Sequence, residues 1–228
     1  MNKALTKKIS TYAIALLASI GFATPTIAGS SDFSGIWIAG HAELNVVAID
    51  GSHIENNTNG NGGKVTQGTA GGFAPTAGWE LGFNLPLGDT FFVTVGYADG
   101  GGDSARIAKA DDATGEADVT LHASDPHWWY IAPSISIFDN SAVYLKFGQA
   151  SADLKAIGDV TGAPNNIDGD MWGIGTTTIA NNGLFIKTEA GAIQYEQFSI
   201  TGIGGSSTAI VEGNPLVGYG SVAIGYKF

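Results

Sequence analysis

The sequence predicts an all-β chain closed into a single eight-stranded antiparallel up-and-down transmembrane β-barrel. Three observations predict it. Apolar residues recur with period two from residue 36 to the C-terminus, short and long connections alternate strictly, and the better-patterned face of the strands is almost free of charge. A secreted soluble sandwich would also alternate, but its outward faces would carry charge, and here Lys and Glu sit on the other face. A closed membrane barrel inverts that arrangement and satisfies every backbone group in lipid.

The first strand covers 36–46, where Ile36, Ile38, Gly40, Ala42, Leu44 and Val46 alternate with Trp37, Ala39, His41, Glu43 and Asn45. In the second, Ala77, Trp79, Leu81, Phe83, Leu85 and Leu87 oppose Gly78, Glu80, Gly82, Asn84 and Pro86. Gly88 and Asp89 turn it tightly into a third, with Phe91, Val93, Val95 and Tyr97 set against Phe92, Thr94 and Gly96. A long fourth strand covers 118–138, with Trp129, Ile131, Pro133, Ile135 and Ile137 on one face and Trp128, Tyr130, Ala132, Ser134 and Ser136 on the other. The turn at 139–141 leads to Val143, Leu145 and Phe147, which alternate with Tyr144, Lys146 and Gly148. The sixth, 169–180, is weaker; Trp172, Ile174, Thr176 and Thr178 leave its facing open. Asn181, Asn182 and Gly183 form a strong turn signal. The seventh carries Leu184, Ile186, Thr188, Ala190 and Ala192 against Phe185, Lys187, Glu189, Gly191 and Tyr195, and the eighth carries Val222, Ile224, Tyr226 and Phe228 against Ser221, Ala223, Gly225 and Lys227.

The connections at 88–89, 139–141 and 181–183 are short, whereas those at 48–72, 99–117, 155–168 and 200–214 are long and rich in Gly, Asn, Asp, Ser and Thr. That pattern places tight turns and both termini on the periplasmic side and the long loops outside.

Composition agrees with one domain of this kind. The chain has 228 residues, 34 of them Gly without a three-residue period, and only 7 Pro, which excludes collagen; 44% hydrophobic residues argue against disorder. With no Cys, an exported chain must be held by hydrogen bonding and packing. Residues 1–28 read as a cleaved signal peptide: Lys3, Lys7 and Lys8, an apolar stretch over 9–23, and small residues at Thr26 and Ala28. The barrel domain is then 29–228, with 7 basic against 21 acidic residues and a net charge of −14. Nucleic acid is excluded as a partner, since binding it requires Lys and Arg to neutralise phosphates.

An eight-stranded barrel is about wide enough inside for its own side chains. Phe92, Trp128, Tyr130, Tyr144, Phe185 and Tyr195 are expected to fill it. The interior charges Glu80, Lys146, Lys187 and Glu189 sum to zero, which favours structural pairing over an open ion path.

Three passages resemble the eight-stranded outer-membrane barrels of the OmpA, OmpX and opacity-protein type. They are Gly35, Ile36, Trp37, Ile38, Ala39, Gly40; Gly78, Trp79, Glu80, Leu81, Gly82, Phe83; and the run over 219–228. The resemblance implies the outer membrane of a Gram-negative bacterium, with outer-membrane lipid and lipopolysaccharide around the barrel. It also implies that Val222, Ile224, Tyr226 and Phe228 are read by the barrel-assembly machinery. It makes Glu80, Lys146, Lys187 and Glu189 interior charges, with His41 where such strands often carry Lys. An extracellular partner would be met by the long loops, and no cofactor is implied.

Chemistry finds few candidates. His122, Ala123 and Ser124 resemble the His-x-Ser pair of outer-membrane lipid A deacylases, and in alternation His122 and Ser124 share a face, as that chemistry needs; an inward facing with a nearby carboxylate would favour the enzyme. No Glu falls at a matching position on the following strand, so no catalytic residue is assigned. The four His show no metal-like spacing, and the acidic stretch with Asp99, Asp103, Asp111, Asp112, Glu116 and Asp118 lacks EF-hand spacing. The reading is a plugged barrel with a structural or surface-interaction role; the rivals are a narrow channel and a lipid-modifying enzyme.

Overall fold

The computed structural model describes residues 29–55, 64–101, 105–111, 118–138, 140–158, 160, 162–201 and 209–228; the expected signal peptide lies outside them. A 3-10 turn (Ser30–Phe33) precedes β1 (Gly35–Glu55), β2 (Lys64–Pro86), β3 (Phe91–Asp99), β4 (Ala105–Asp111), β5 (Asp118–Phe138), β6 (Ser141–Gly158), β7 (Asn166–Ile179), β8 (Leu184–Tyr195), β9 (Phe198–Thr201) and β10 (Ala209–Lys227). The ring runs β1, β2, β3, β5, β6, β7, β8, β10, and β10 closes on β1 with antiparallel register from Trp37↔Lys227 to Glu55↔Ala209. The short β4 lies on β5 beyond β3, and the short β9 lies on β10 beyond β8. This is the eight-stranded antiparallel barrel expected from the period-two pattern. The sixth segment, left open by its sequence, turns Ile174, Thr176 and Thr178 outward and buries Met171 and Ile179.

Strands run much further than the apolar alternation does. The β1–β2 ladder continues to Glu55↔Lys64 and β5–β6 to Val119↔Gly158, so stretches expected as long loops are largely strand. The reason is visible on each strand as an inversion of polarity. Along β6 the outward residues change from Val143, Leu145 and Phe147 to Gln149, Ser151, Asp153 and Lys155, while the inward ones change from Tyr144 and Lys146 to Ala150, Ala152 and Leu154. Near the short turns the barrel is apolar outside and polar inside. Beyond, it is built as a soluble barrel, with Val47, Ile49, Leu121, Ile167, Ile193 and Val217 buried in one cluster. Backbone pairing needs no apolar outer face once water surrounds the wall, so composition alone makes these strands look like loops. Trp79, Tyr97 and Trp129 are exposed on the outer wall near this change, and Phe91, Phe138, Tyr226 and Phe228 near the short turns. These are the two aromatic girdles of a membrane barrel.

One irregularity corrects the alternation. Between Ser124↔Asp153 and His127↔Ser151, β5 has one residue more than β6, and Asp125 takes φ 50°, a left-handed conformation that Asp tolerates. The bulge reverses the facing of everything before it. Leu121 and Ala123 therefore point inward into the apolar cluster, and His122 and Ser124 share a face, as expected, but it is the outer one.

Glycines in the wall seat the aromatic filling. A Cβ on Gly82 would lie 2.3 Å from Trp37, on Gly96 2.4 Å from Tyr130, on Gly175 2.4 Å from Tyr144 and on Gly225 2.3 Å from Phe185. Gly96→Val should therefore cost about 1–3 kcal/mol by overpacking. Urea unfolding of the folded barrel in detergent, followed by Trp fluorescence, measures it. Gly218→Ala, whose Cβ meets nothing within 4 Å, should stay within about 0.5 kcal/mol of wild type.

Candidate functional site

The lumen is filled in three layers. The lowest is a stopper made by the N-terminal 3-10 turn. Phe33, 1% exposed, stacks on Phe92 with ring centroids 5.0 Å apart, and its carbonyl accepts from Asn84 Nδ2 at 2.7 Å. Asn84 Oδ1 accepts in turn from Trp37 Nε1 at 3.0 Å and Thr94 Oγ1 at 2.7 Å, tying the turn to three strands. The Ser30 N–H donates to Asp89 O at 2.7 Å, its hydroxyl donates to Gly88 O, and Lys227 Nζ donates to Asp32 O at 2.6 Å. Phe92 is expected in the lumen, but nothing in the sequence pattern marks Ser30, Asp32 or Phe33, because a four-residue turn has no period to read.

Above the stopper lies a charge layer. Lys187 Nζ is 2.8 Å from Glu80 Oε2, bridging β8 to β2, and Lys146 Nζ is 2.8 Å from Glu189 Oε1, bridging β6 to β8. Tyrosines complete both carboxylates: Tyr130 donates to Glu80 at 3.0 Å, Tyr144 to Glu189 at 2.8 Å and Tyr219 to Glu189 at 2.7 Å. The cations also face rings, Lys146 Nζ lying 4.3 Å from the Tyr130 centroid and Lys187 Nζ 4.6 Å from that of Trp37. Tyr219 escapes the sequence reading, which begins the last strand's alternation at Ser221.

His41 is buried beside this layer, its ring 5.5 Å from that of Trp128, but neither ring nitrogen has a hydrogen-bond partner among the described residues. The structure thus brings Glu80, Lys146, Lys187 and Glu189 together and leaves His41 adjacent to them. A fifth charged residue, Glu43, is buried and lines the same void of about 10 Å³, room for no more than one water. Its place two residues after His41 on the inward face was legible in the alternation. Among the described residues no group of three or more His, Cys, Asp or Glu is placed to hold a metal.

The third layer is the apolar cluster beyond the charges, with a void of about 70 Å³ bordered by Ala74, Ile107, Trp128, Ile193 and Val217. On the outer wall, Val222, Ile224, Tyr226 and Phe228 all face outward, and the Phe228 N–H donates to Ile36 O at 3.0 Å, so the chain end completes the seam with β1. Of the acidic stretch, Asp103, Asp112 and Glu116 lie outside the described residues, and Asp99 caps its own turn by accepting from the Gly101 N–H at 2.9 Å.

No protein-family model matches the chain, and no curated protein matches it in sequence. Its fold is similar to those of several solved outer-membrane proteins, among them these two. One is the outer membrane protein OprG from Pseudomonas aeruginosa, at 14% identity over 86% of this chain and 96% of that chain, with a TM-score of 0.56. The other is the outer membrane protein AlkL, solved in DMPC lipid bilayers, at 13% identity over 91% of this chain and 95% of that chain, with a TM-score of 0.51. The fold is that of the eight-stranded outer-membrane β-barrels.

Breaking one buried pair leaves the partner charge unpaired, so Lys187→Met should cost about 3–5 kcal/mol, whereas Glu80→Met/Lys187→Met should recover much of that loss. The same urea titration decides. A double variant no more stable than the single one would mean the pair contributes through packing alone.

Proposed function

We propose that this chain is an integral protein of the bacterial outer membrane, exported after cleavage of residues 1–28, whose barrel is closed along its axis and whose role is structural or surface-interacting. The observation that carries the reading is the pair of ion pairs crossing the lumen above the Phe33 stopper. Each ion in them is held at 2.8 Å by its partner, so a permeant ion would have to break a desolvated pair to pass. Lipid and lipopolysaccharide would surround the belt. Val222, Ile224, Tyr226 and Phe228 would serve the assembly machinery as the outward strand end that later closes on β1.

In planar bilayers the purified protein should give no large, steady conductance; such a conductance would overturn axial closure. In cells it should fractionate with the outer membrane and show a heat-dependent gel shift, and solubility without detergent would overturn the location.

A second reading has one observation in its favour. Beyond Trp79↔Asp99 no ladder joins β2 to β4 among the described residues, and the void of about 70 Å³ lies behind this interruption, between Ala74 of β2 and Ile107 of β4. A small apolar molecule would reach that void from the side of the wall. The void is about half the ~150 Å³ that holds benzene in an engineered cavity, so entry would require the β2–β4 contact to open. Trp128 borders it. A brominated small alkane should then quench Trp128 fluorescence in a variant retaining only that tryptophan, and absence of quenching would remove this reading.

A further inference from the structure

We propose that the lumen binds one proton, shared by His41 and Glu43 at the upper margin of the charge layer. Both residues face inward on β1, two positions apart, and both border the void of about 10 Å³. His41 is 7% exposed and Glu43 8%, so the pair is withdrawn from bulk water.

The charges around the pair call for that proton. The buried formal charges of the lumen are Glu43, Glu80 and Glu189 against Lys146 and Lys187, one negative charge in excess. Both cations are committed at 2.8 Å, Lys187 to Glu80 and Lys146 to Glu189. The hydroxyls of Tyr130, Tyr144 and Tyr219 are committed to the same two carboxylates. Glu43 has no ion pair among the described residues; its polar neighbour is the neutral side chain of Asn45. A desolvated carboxylate without a counter-charge is costly, and one proton brings the sum to zero.

The geometry offers two holders for it. Neither nitrogen of the His41 ring has a hydrogen-bond partner among the described residues, and the same is true of Trp128 Nε1, whose ring lies 5.5 Å away. The titratable groups facing the pair from other strands are Glu80 of β2, Tyr144 and Lys146 of β6, and Lys187 and Glu189 of β8; Tyr195 of β8 borders the larger void with Glu43. Every charged one among these is already paired, which leaves His41 to share a proton with Glu43. A protonated Glu43 offers a donor to a neutral ring nitrogen, and a protonated His41 offers donors to a carboxylate. The void that both border has room for one water to bridge them. Both placements leave the lumen neutral, so the proton belongs to the pair and not to one atom.

The consequence is a proton-sensitive plug. Near neutral pH an unfolded chain has given up these protons, since free Glu titrates at about 4.3 and free His at about 6.5. The folded chain keeps one, and a folded state that binds more protons loses stability as pH rises through the titration of the pair. Mild acid firms the filling of the lumen, and alkali leaves a buried charge in it.

The test is urea unfolding of the full folded barrel in detergent across pH. The unfolding constant of wild type, divided by that of Glu43→Gln, should rise about tenfold or more from about pH 5 to about pH 8.5, since one proton gives up to about tenfold per pH unit. Asp50→Asn removes an exposed carboxyl from the outer face of the same strand and should leave the wild-type profile unchanged. His41→Gln should move the pH at which the rise occurs by about one unit or more. A ratio independent of pH, or the same effect from Asp50→Asn, would overturn the site, and a profile unmoved by His41→Gln would overturn the sharing. An unaltered heat-shifted band verifies folding, and Glu43→Met replaces Glu43→Gln if that variant does not fold. Because the measurement is made in detergent, failure of the outer-membrane location or of axial closure leaves the proton site standing, and a flat ratio defeats the site alone.

Discussion

The structure depends on one constraint: within hydrocarbon every backbone N–H and C=O must find a partner in the chain itself. The β10–β1 ladder meets it by removing the last two edges of the sheet, and it does so over 19 residue pairs, from Trp37↔Lys227 to Glu55↔Ala209. Even the terminal Phe228 donates to Ile36. Closure with eight strands fixes a lumen about as wide as the side chains that line it, so the interior has to be packed as a core. Glycine and aromatic content follow from that. The rings of Trp37, Tyr130, Tyr144 and Phe185 each lie over the directly paired residue of the adjacent strand, and Gly82, Gly96, Gly175 and Gly225 leave the room they need there.

A second consequence is that a single strand serves two solvents. The backbone ladder is uniform along β1, β5, β6 and β10, but the medium outside changes from lipid to water part of the way along, and the side chains change with it. In the lipid part apolar residues face out, which lets the lumen hold Glu80, Lys146, Lys187 and Glu189. In the water part the outward face turns polar and the inside must supply the hydrophobic burial, as Val47, Ile49, Leu154 and Ile193 do. The charge layer lies next to this change, between the stopper and the apolar cluster. Its ions are tolerated because each is paired, each carboxylate also accepts from tyrosine, and each ammonium also faces a ring. Glu43 and His41 lie at its margin without a partner of that quality.

What the sequence makes legible is whatever the lipid enforces. The short turns, the outward belt and the inward placement of Lys146, Lys187, Glu80 and Glu189 follow from turn residues and from strict alternation against hydrocarbon. The pairing of Lys187 with Glu80, 107 residues apart, does not follow, because it depends on how the ring closes and on strand stagger. Beyond the belt the rule weakens: the segments at 64–72 and 209–214 pair as strands although neither shows a clean apolar alternation. The stopper at Phe33 is invisible for a different reason. Its position comes from four separate tethers, to Asn84, Gly88, Asp89 and Lys227, and none of them is local in sequence.

The bulge at Asp125 shows why facing has to be counted residue by residue. Alternation propagates an error without limit: one extra residue on β5 transfers the side chains from 120 to 124 to the opposite face. With the bulge ignored, His122 and Ser124 enter the lumen and suggest a buried nucleophile. With it included, Leu121 and Ala123 fill the apolar cluster, and the polar pair joins Arg106, Lys155 and Asp153 on the wall. The second arrangement is also the one physical chemistry favours, because a Leu facing water and a His facing the cluster would each cost burial or desolvation energy. The inserted residue therefore does two things at once. It keeps the hydrophobic interior continuous above the belt, and it turns the polar His122 and Ser124 out of that interior.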